Sequence, residues 1–385
     1  MSTLIKATSR TSLPFKGSSL SRGIMSSRTP TPASILDALK ASLSSGPKKH
    51  EDEFYNPRPQ TYWYYNGSSW ISSSSSSSSI LPAPAASPLS PKALRLMSWN
   101  IDILVDFAEE RMSAALSYLS DLVSSTPASI PVLIYLQEMG TSDLRQIREA
   151  PWVQQRFYIT DFDQTNWLFD LCGTTMLIDR RLKVSNVFRV PWYSALDRDG
   201  LFVDIPLSSN SSAEAKVLRL CNTHLESLVA DPPIRPVQME SAGKYLREPQ
   251  VAAALLAGDL NAIQPFDRTL HSENGLLDAY LELGGKEDSD DGYTWGYQVP
   301  QALRDRFGCS RMDKIFFRGG LRAEKFERIG MGVKAAEEHR ISMRDTGQEE
   351  YVTDHYGVMG DFTFVDDWRL VIDGDDSGAA GSKLA

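Results

Sequence analysis

Cysteine is scarce in this chain of 385 residues. The three present, Cys172, Cys221 and Cys309, are far apart, odd in number and without Cys-x-x-Cys spacing. Neither a disulfide framework nor a structural zinc site is expected from that spacing, and a reducing compartment is. Long apolar runs are also missing, none approaching the ~20 residues a helix needs to cross a bilayer, so no membrane is expected among the partners. An excess of positive charge is absent too: 40 Lys and Arg stand against 49 Asp and Glu, a net charge of −9. That balance argues against a chain sheathed in nucleic acid, yet it leaves room for a local cationic groove. Acids are absent from the start of the chain, where Lys6, Arg10, Lys16, Arg22 and Arg28 lie among many serines before the first acid, Asp37. This composition suits a flexible basic tail, consistent with nucleus or cytoplasm, and as an alternative a mitochondrial presequence.

With 42% hydrophobic residues the remainder can bury a sizeable core. Residues 1–52 are expected to form a disordered basic Ser-rich tail. The segment 53–92 holds the aromatic stretch "EFYNPRPQTYWYYNGSSWI", able to dock as a small turn, followed by a Ser/Pro linker. One catalytic domain is expected over 93–367 and a polar tail over 368–385. Within that domain "ALRLMSWNI", "PVLIYLQEM", "TTMLIDR", "GLFVDIPL", "KVLRLCNTHLE", "AALLAGDLNA", "RMDKIFFR", "KFERIGM" and "DHYGVMGDFTF" have strand character. Met112, Ala115, Leu116, Leu119, Leu122 and Val123 line one face of a helix, and 236–248 is a second helix. Strands predominate, and helices are too few for a continuous βαβ repeat. The expected fold is α/β: a four-layer sandwich of two packed, mostly antiparallel sheets flanked by helices.

Polar residues fall where hydrophobic strands meet loops: Asn100, Glu138, His224, Asp259 with Asn261, Asp313, and Asp354 with His355. Strand ends bring residues distant in sequence into one crevice. The set holds acids, amides and two imidazoles, with no serine or cysteine nucleophile beside a base. That suits hydrolysis assisted by a hard cation: carboxylates hold Mg²⁺, an Asp orients the attacking water, and an imidazolium steadies charge on phosphorus oxygens. Each residue also has a plainer account. An Asp-x-Asn after a strand is often a turn, Glu138 could favour a following helix N-terminus, and Asp313 could pair with Lys314 or Arg311. Adjacent strand residues point to opposite faces, however, so an imidazolium is the better partner for Asp313. The basic stretch 304–325 is either a solvated face or a rim of phosphate contacts, with Arg311, Lys314 and Arg318 as the candidate contacts. Trp295 could stack on a base or leaving group, or fill the core.

The motifs "SWN" (98–100), "LQEM" (136–139), "GDLN" (258–261), "RMDKIFF" (311–317) and "TDHYG" (353–357) occur in the order found in the endonuclease/exonuclease/phosphatase superfamily. The chain resembles that superfamily over roughly 275 residues. Through "MSWNID", "THLES", "GYTWG" and "MDKIFFR" it is similar to its tyrosyl-DNA phosphodiesterase 2 branch. The resemblance implies that Glu138 binds Mg²⁺ (Mn²⁺ as substitute), that Asn100 holds metal waters or phosphate, and that Asp354 is an outer carboxylate of the metal site. It implies Asp259 as the activator of water with Asn261 orienting it, His355 as a phosphoryl-oxygen donor kept charged by Asp313, and His224 gripping the phosphate opposite. The implied activity is hydrolysis of a 5′-tyrosyl-DNA phosphodiester in DNA repair, by a monomer acting on a DNA 5′ end that carries a tyrosyl or peptide adduct. Two departures concern the substrate side. Ala262, Ile263 and Gln264 stand where that branch has an arginine, and Gly296 stands where it has an aspartate. Alternatives are an abasic-site endonuclease, a deadenylase or a small phosphoester hydrolase, and a non-catalytic scaffold for nucleic acid or a partner.

Overall fold

The computed structural model describes residues 31–47, 56–74, 89–211 and 214–372. Strands are numbered along the chain. The first sheet runs β1 (Arg58–Pro59), β8 (Asn186–Pro191), β9 (Asp199–Ser208), β10 (Lys216–Thr223), β11 (Val251–Asp259), β13 (Asp313–Gly319), β12 (Leu277–Asp278), with β16 (Arg369–Leu370) also pairing β9. The second runs β14 (Leu321–Ile329), β15 (Gly357–Phe364), β4 (Ala93–Asn100), β5 (Val132–Met139), β7 (Gly173–Asp179), β6 (Phe157–Ile159), β2 (Trp63–Tyr65), β3 (Trp70–Ser72). Pairing is antiparallel apart from β4–β5 and β10–β11. Those two parallel pairs need crossovers. Helix α2 (Ala108–Ser125) supplies one, after α1 (Pro32–Ser45), and α4 (Arg235–Leu246), which follows α3 (Thr141–Glu149), supplies the other.

The central strands are buried on both faces, which is why they are unbroken apolar runs in the sequence. Leu94, Leu96, Leu133, Tyr135, Leu255 and Ile315 fill the space between the sheets. Their alternates on β4 and β5, Met97, Trp99, Ile134 and Leu136, face outward against Met112, Ala115 and Leu119 of α2 and Leu144 of α3. On the first sheet Ala254, Leu256 and Phe316 meet Met239, Ala242 and Leu246 of α4. Each fully buried side chain of leucine size contributes about 1.5–3 kcal/mol. The layers are helix, sheet, sheet, helix, as the sequence pattern predicts.

Several segments differ from expectation. Residues 32–45, assigned to a disordered tail, form α1. A Thr31–Ser34 capping box closes its N-terminus, and Ile35, Leu36 and Leu39 are buried against Ile103, Leu104, Cys172 and Leu196. The aromatic segment belongs to the sheets themselves. β1 pairs β8, and β2 and β3 extend the second sheet through β6, with the Trp70 indole donating to the Arg148 carbonyl at 3.2 Å. Strand β8 and a helix at Glu337–Asp345 carry no clear sequence pattern. Of the expected polar tail 368–385, Arg369–Leu370 form β16 against β9, and residues 1–30, 48–55, 75–88 and 373–385 of the expected tails and linker lie outside the described residues.

Candidate active site

Both sheets end at the same place, and a polar link between them holds the ends in register. Gln137 on β5 donates to the Asn222 side chain on β10 at 2.8 Å, and Asn222 donates to the carbonyls of Leu136 and Thr175 at 3.1 and 2.9 Å. One residue beyond these partners stand Glu138 and Thr223, the last residue of β10, with His224 immediately after the strand. Gly258 permits the close packing here: its φ is +150°, and a Cβ would lie 1.8 Å from the Thr223 carbonyl oxygen. Any side chain would push β11 away from β10, so the glycine of "GDLN" is a requirement of the site.

Asp259 ends β11 and is the direct cross-strand partner of Asp313 on β13. Its Oδ1 accepts from the Asn261 backbone N–H at 2.9 Å, the turn that an Asp-x-Asn pair forms on its own. Its Oδ2 is thereby left for chemistry. Around that one oxygen lie Asn100 Nδ2 at 3.0 Å, His224 Nε2 at 3.4 Å and His355 Nε2 at 3.7 Å. Asn100 also donates to Glu138 Oε1 at 3.2 Å. Glu138 adopts φ +56° at an irregularity in the β5–β7 pairing, a conformation costing about 1–3 kcal/mol in a residue with a Cβ. The strained backbone turns its carboxylate inward, where Oε2 accepts from the Ile103 N–H at 3.3 Å.

The two imidazoles differ in their surroundings. Burial favours a neutral ring at His355, but the carboxylates of Asp313, Asp259 and Asp354 overcome it and hold the ring's pKa well above the usual range. The contact to Asp313 Oδ2 is 2.8 Å from Nδ1, so Asp313 pairs with the imidazole, while Lys314 lies on the opposite face. His224 is pushed well below the usual range by burial and by the cations Arg198 and His355. Burial raises Asp259, with the His355 cation opposing. Asp354 sits behind His355, its Oδ2 accepting from the Trp295 indole at 2.8 Å and its Oδ1 3.7 Å from His355 Nε2. It does not join the groups of ligand atoms around Glu138, and it is near enough to Asp102 to help burial raise that carboxyl to about 7.

The fit to a divalent cation is favourable. Ligand-type atoms of Glu138, His224 and Asp259 lie within 4.8 Å of one another, as do those of Asp259, Asp313 and His355, and the carboxylates among them are the groups that can hold the ion. Three buried polar atoms of this group, His224 Nε2, Asn261 Oδ1 and Asp313 Oδ1, have no hydrogen-bond partner. Unsatisfied buried atoms in such number are unusual and mark a place where water or an ion completes the bonding.

None of the four substrate-side candidates lines the pocket that holds Glu138 and His224; Arg311 and Lys314 border a separate pocket with Ile263, Gln264, Arg268 and Glu287. Arg311 is buried, with Nη1 2.8 Å from Asp278 and the rest of its head group on Glu287. Lys314 is buried and 3.3 Å from the same Glu287. Arg318 donates to the Leu246 carbonyl at 2.6 Å, and Trp295 is buried against Val299, Leu303 and Met312. Glu287 folds back onto Arg311 and Lys314 and occupies both charges internally. Sequence reasoning missed Arg198, whose guanidinium touches His224 from the loop between β8 and β9. An arginine inside "LDRDG" gives no signal by itself. It also missed α1, which packs beside this loop.

A two-sheet sandwich that presents carboxylates, amides and imidazoles at one end of both sheets defines a class: layered α/β proteins with a centre suited to a hard cation. The Endonuclease/Exonuclease/phosphatase family profile matches residues 97–355, and the chain belongs to that family, whose members are hydrolases acting on phosphoester bonds. No curated protein matches the chain. Among solved structures, TDP2 of D. rerio complexed with single strand DNA product is similar at 19% identity and TM-score 0.52, over 70% of this chain and 98% of that one. Truncated C. elegans TDP2 is similar at 21% identity and TM-score 0.51, over 71% and 97%. A family protein from Bacteroides thetaiotaomicron reaches 13% identity and TM-score 0.50, over 71% and 99%. These likenesses concern the fold.

Proposed function

We propose that this protein is a Mg²⁺-dependent phosphodiesterase that hydrolyses a 5′-tyrosyl-DNA phosphodiester, with Mn²⁺ able to substitute. The observation that carries the reading is the single oxygen Asp259 Oδ2, met by nitrogens of Asn100, His224 and His355 from three other segments. Glu138 would hold the cation with Asn100 beside it, and the bound ion supplies charge neutralisation at a phosphate oxygen. Asp259, made more basic by burial, orients a water and takes its proton. His355, held charged by Asp313, donates to a phosphoryl oxygen, and His224 donates from the other side. A tyrosyl leaving group has a pKa of about 10, so its departure as phenolate needs little help from an acid.

The internal pairing of Arg311 and Lys314 favours a second reading on the same centre, a smaller phosphoester that needs no long basic groove. The test is incubation of the full chain with a 5′-tyrosyl oligonucleotide, an abasic duplex, poly(A) RNA and a small phosphodiester, each with Mg²⁺ and with EDTA. Rapid metal-dependent conversion of the tyrosyl end alone supports the leading reading. Preference for any of the others replaces it, and turnover undiminished in EDTA removes the metal.

A further inference from the structure

Hydrogen-bond direction at His224 points to the nitrogen that carries its proton. Arg198 Nη1 lies 2.9 Å from His224 Nδ1. A guanidinium has donors and no acceptor, so Nδ1 must accept. A doubly protonated ring would set two donors against each other at that distance. The ring proton therefore belongs on Nε2, which is buried, has no hydrogen-bond partner, and lies 3.4 Å from Asp259 Oδ2 and 3.8 Å from Glu138 Oε1.

Arg198 is itself held. Its Nη2 donates to Ser227 Oγ at 2.9 Å, the same oxygen that accepts from Asn261 Nδ2 at 3.3 Å. Its backbone N–H donates to Ser194 Oγ at 3.1 Å, and its carbonyl accepts from the Trp192 N–H at 2.9 Å. The Trp192 indole then donates to Thr223 Oγ1 at 3.0 Å, one residue before His224. The loop and the strand end form one braced unit with the arginine pointing at the ring.

We propose that Arg198 is the positioning residue for His224, locking its ring in the Nε2–H tautomer so that it serves the phosphodiesterase centre only as a hydrogen-bond donor. The role in turnover rests on the proposed function; the tautomer does not. One consequence concerns the cation. A ring with a proton on Nε2 and its other lone pair turned to Arg198 has nothing to offer a metal, so an ion near Glu138 and Asp259 draws on oxygen there. That favours a hard cation over zinc.

The experiment is ¹⁵N NMR of the histidine rings in the labelled full chain, with His224 assigned by a His224→Gln variant. Couplings of each ring nitrogen to the carbon-bound protons distinguish the two tautomers. The wild-type ring should show Nε2–H. Arg198→Met should lose that state to a mixture, while Arg198→Lys, whose ammonium is also only a donor, should retain it. With the 5′-tyrosyl oligonucleotide, kcat of Arg198→Met should fall about 10²-fold, the cost of one misplaced donor at a developing charge, with KM little changed and Arg198→Lys restoring most of the rate. An Nδ1–H ring in the wild type overturns the proposal, and so does an Arg198→Met protein that keeps the wild-type spectrum. If Arg198→Met does not fold, the wild-type and Arg198→Lys spectra still decide. A wild-type protein that turns over no phosphodiester refutes the functional reading alone, because the spectrum needs no substrate.

Discussion

His224 and His355 both approach the same carboxylate oxygen, at 3.4 and 3.7 Å, and the walls behind them are built differently. Behind His355 stands Asp313, a residue of β13 whose direction is fixed by its pairing with Asp259, with Trp295 and Asp354 bracing the ring's own loop. Behind His224 stands Arg198, delivered by a loop. One ring is held by an acceptor and is cationic; the other is held by a donor and is neutral. Two side chains of one type thus obtain opposite charge states: three carboxylates, Asp313 nearest, outweigh burial at His355, while at His224 burial is reinforced by Arg198 and by the His355 cation. The comparison implies that the strand-built wall is the less forgiving of the two.

Removing what both walls share should have the largest effect. Asp259→Asn should lower kcat by at least about 10³-fold in 5′-tyrosyl oligonucleotide turnover, the upper part of the range for a general base. The melting temperature should hold or rise, because the variant relieves a buried carboxylate. Normal turnover would show that the water-activating role lies elsewhere. Next comes the strand-built wall: Asp313→Asn keeps the shape but gives His355 a neutral partner. A loss of about 10²–10³-fold is expected, larger than for Arg198→Met. Equal losses would erase the distinction between the walls.

The same contrast explains what the sequence could and could not disclose. Asn100, Glu138, Asp259 and Asp313 lie at or near the ends of apolar strands, so periodicity made them candidates for one crevice, the ordered motifs tied them to one site, and alternation turned Asp313 away from Lys314. The layered fold was legible for the same reason, since Met112, Ala115 and Leu119 follow the helical repeat. Arg198 has no such frame: its position depends on Ser194, Trp192 and Thr223, contacts that no local pattern encodes. Helix α1 was hidden by composition, because four serines and no aromatic residue in its 14 residues obscure the spacing of Ile35, Leu36 and Leu39. Within the stretch 304–325, Arg311 and Lys314 are matched by acids distant in sequence, Asp278 and Glu287, which no local pattern discloses.

That last reassignment has a sharp test. Arg311→Met leaves buried Asp278 without its cation and Glu287 with Lys314 alone, and should cost about 3–5 kcal/mol of stability in urea unfolding. A phosphate contact would behave otherwise: stability would hold, and the salt dependence of DNA binding would lose about one unit of slope. The expected result is the first, with the slope unchanged.

The smallest effect concerns the outer rim, where α1 covers Cys172 beside the His224 wall. Burial pushes the Cys172 thiol up to about 12, with Arg198 opposing. Thiolate is the reactive form, so at pH 8 the wild-type residue should resist iodoacetamide, its rate climbing only as pH approaches that value. Cys309, which is half-buried, should react first by mass spectrometry. Replacing Leu36 and Leu39 together by aspartate removes two buried anchors of the helix. Release of α1 should return Cys172 toward the ordinary thiol range of about 8.5 and bring its labelling into the neutral range. Turnover should change little, because no residue of α1 hydrogen-bonds to Glu138, Asp259 or either ring. Labelling of Cys172 in the wild type as fast as Cys309 would mean that α1 does not shield this wall.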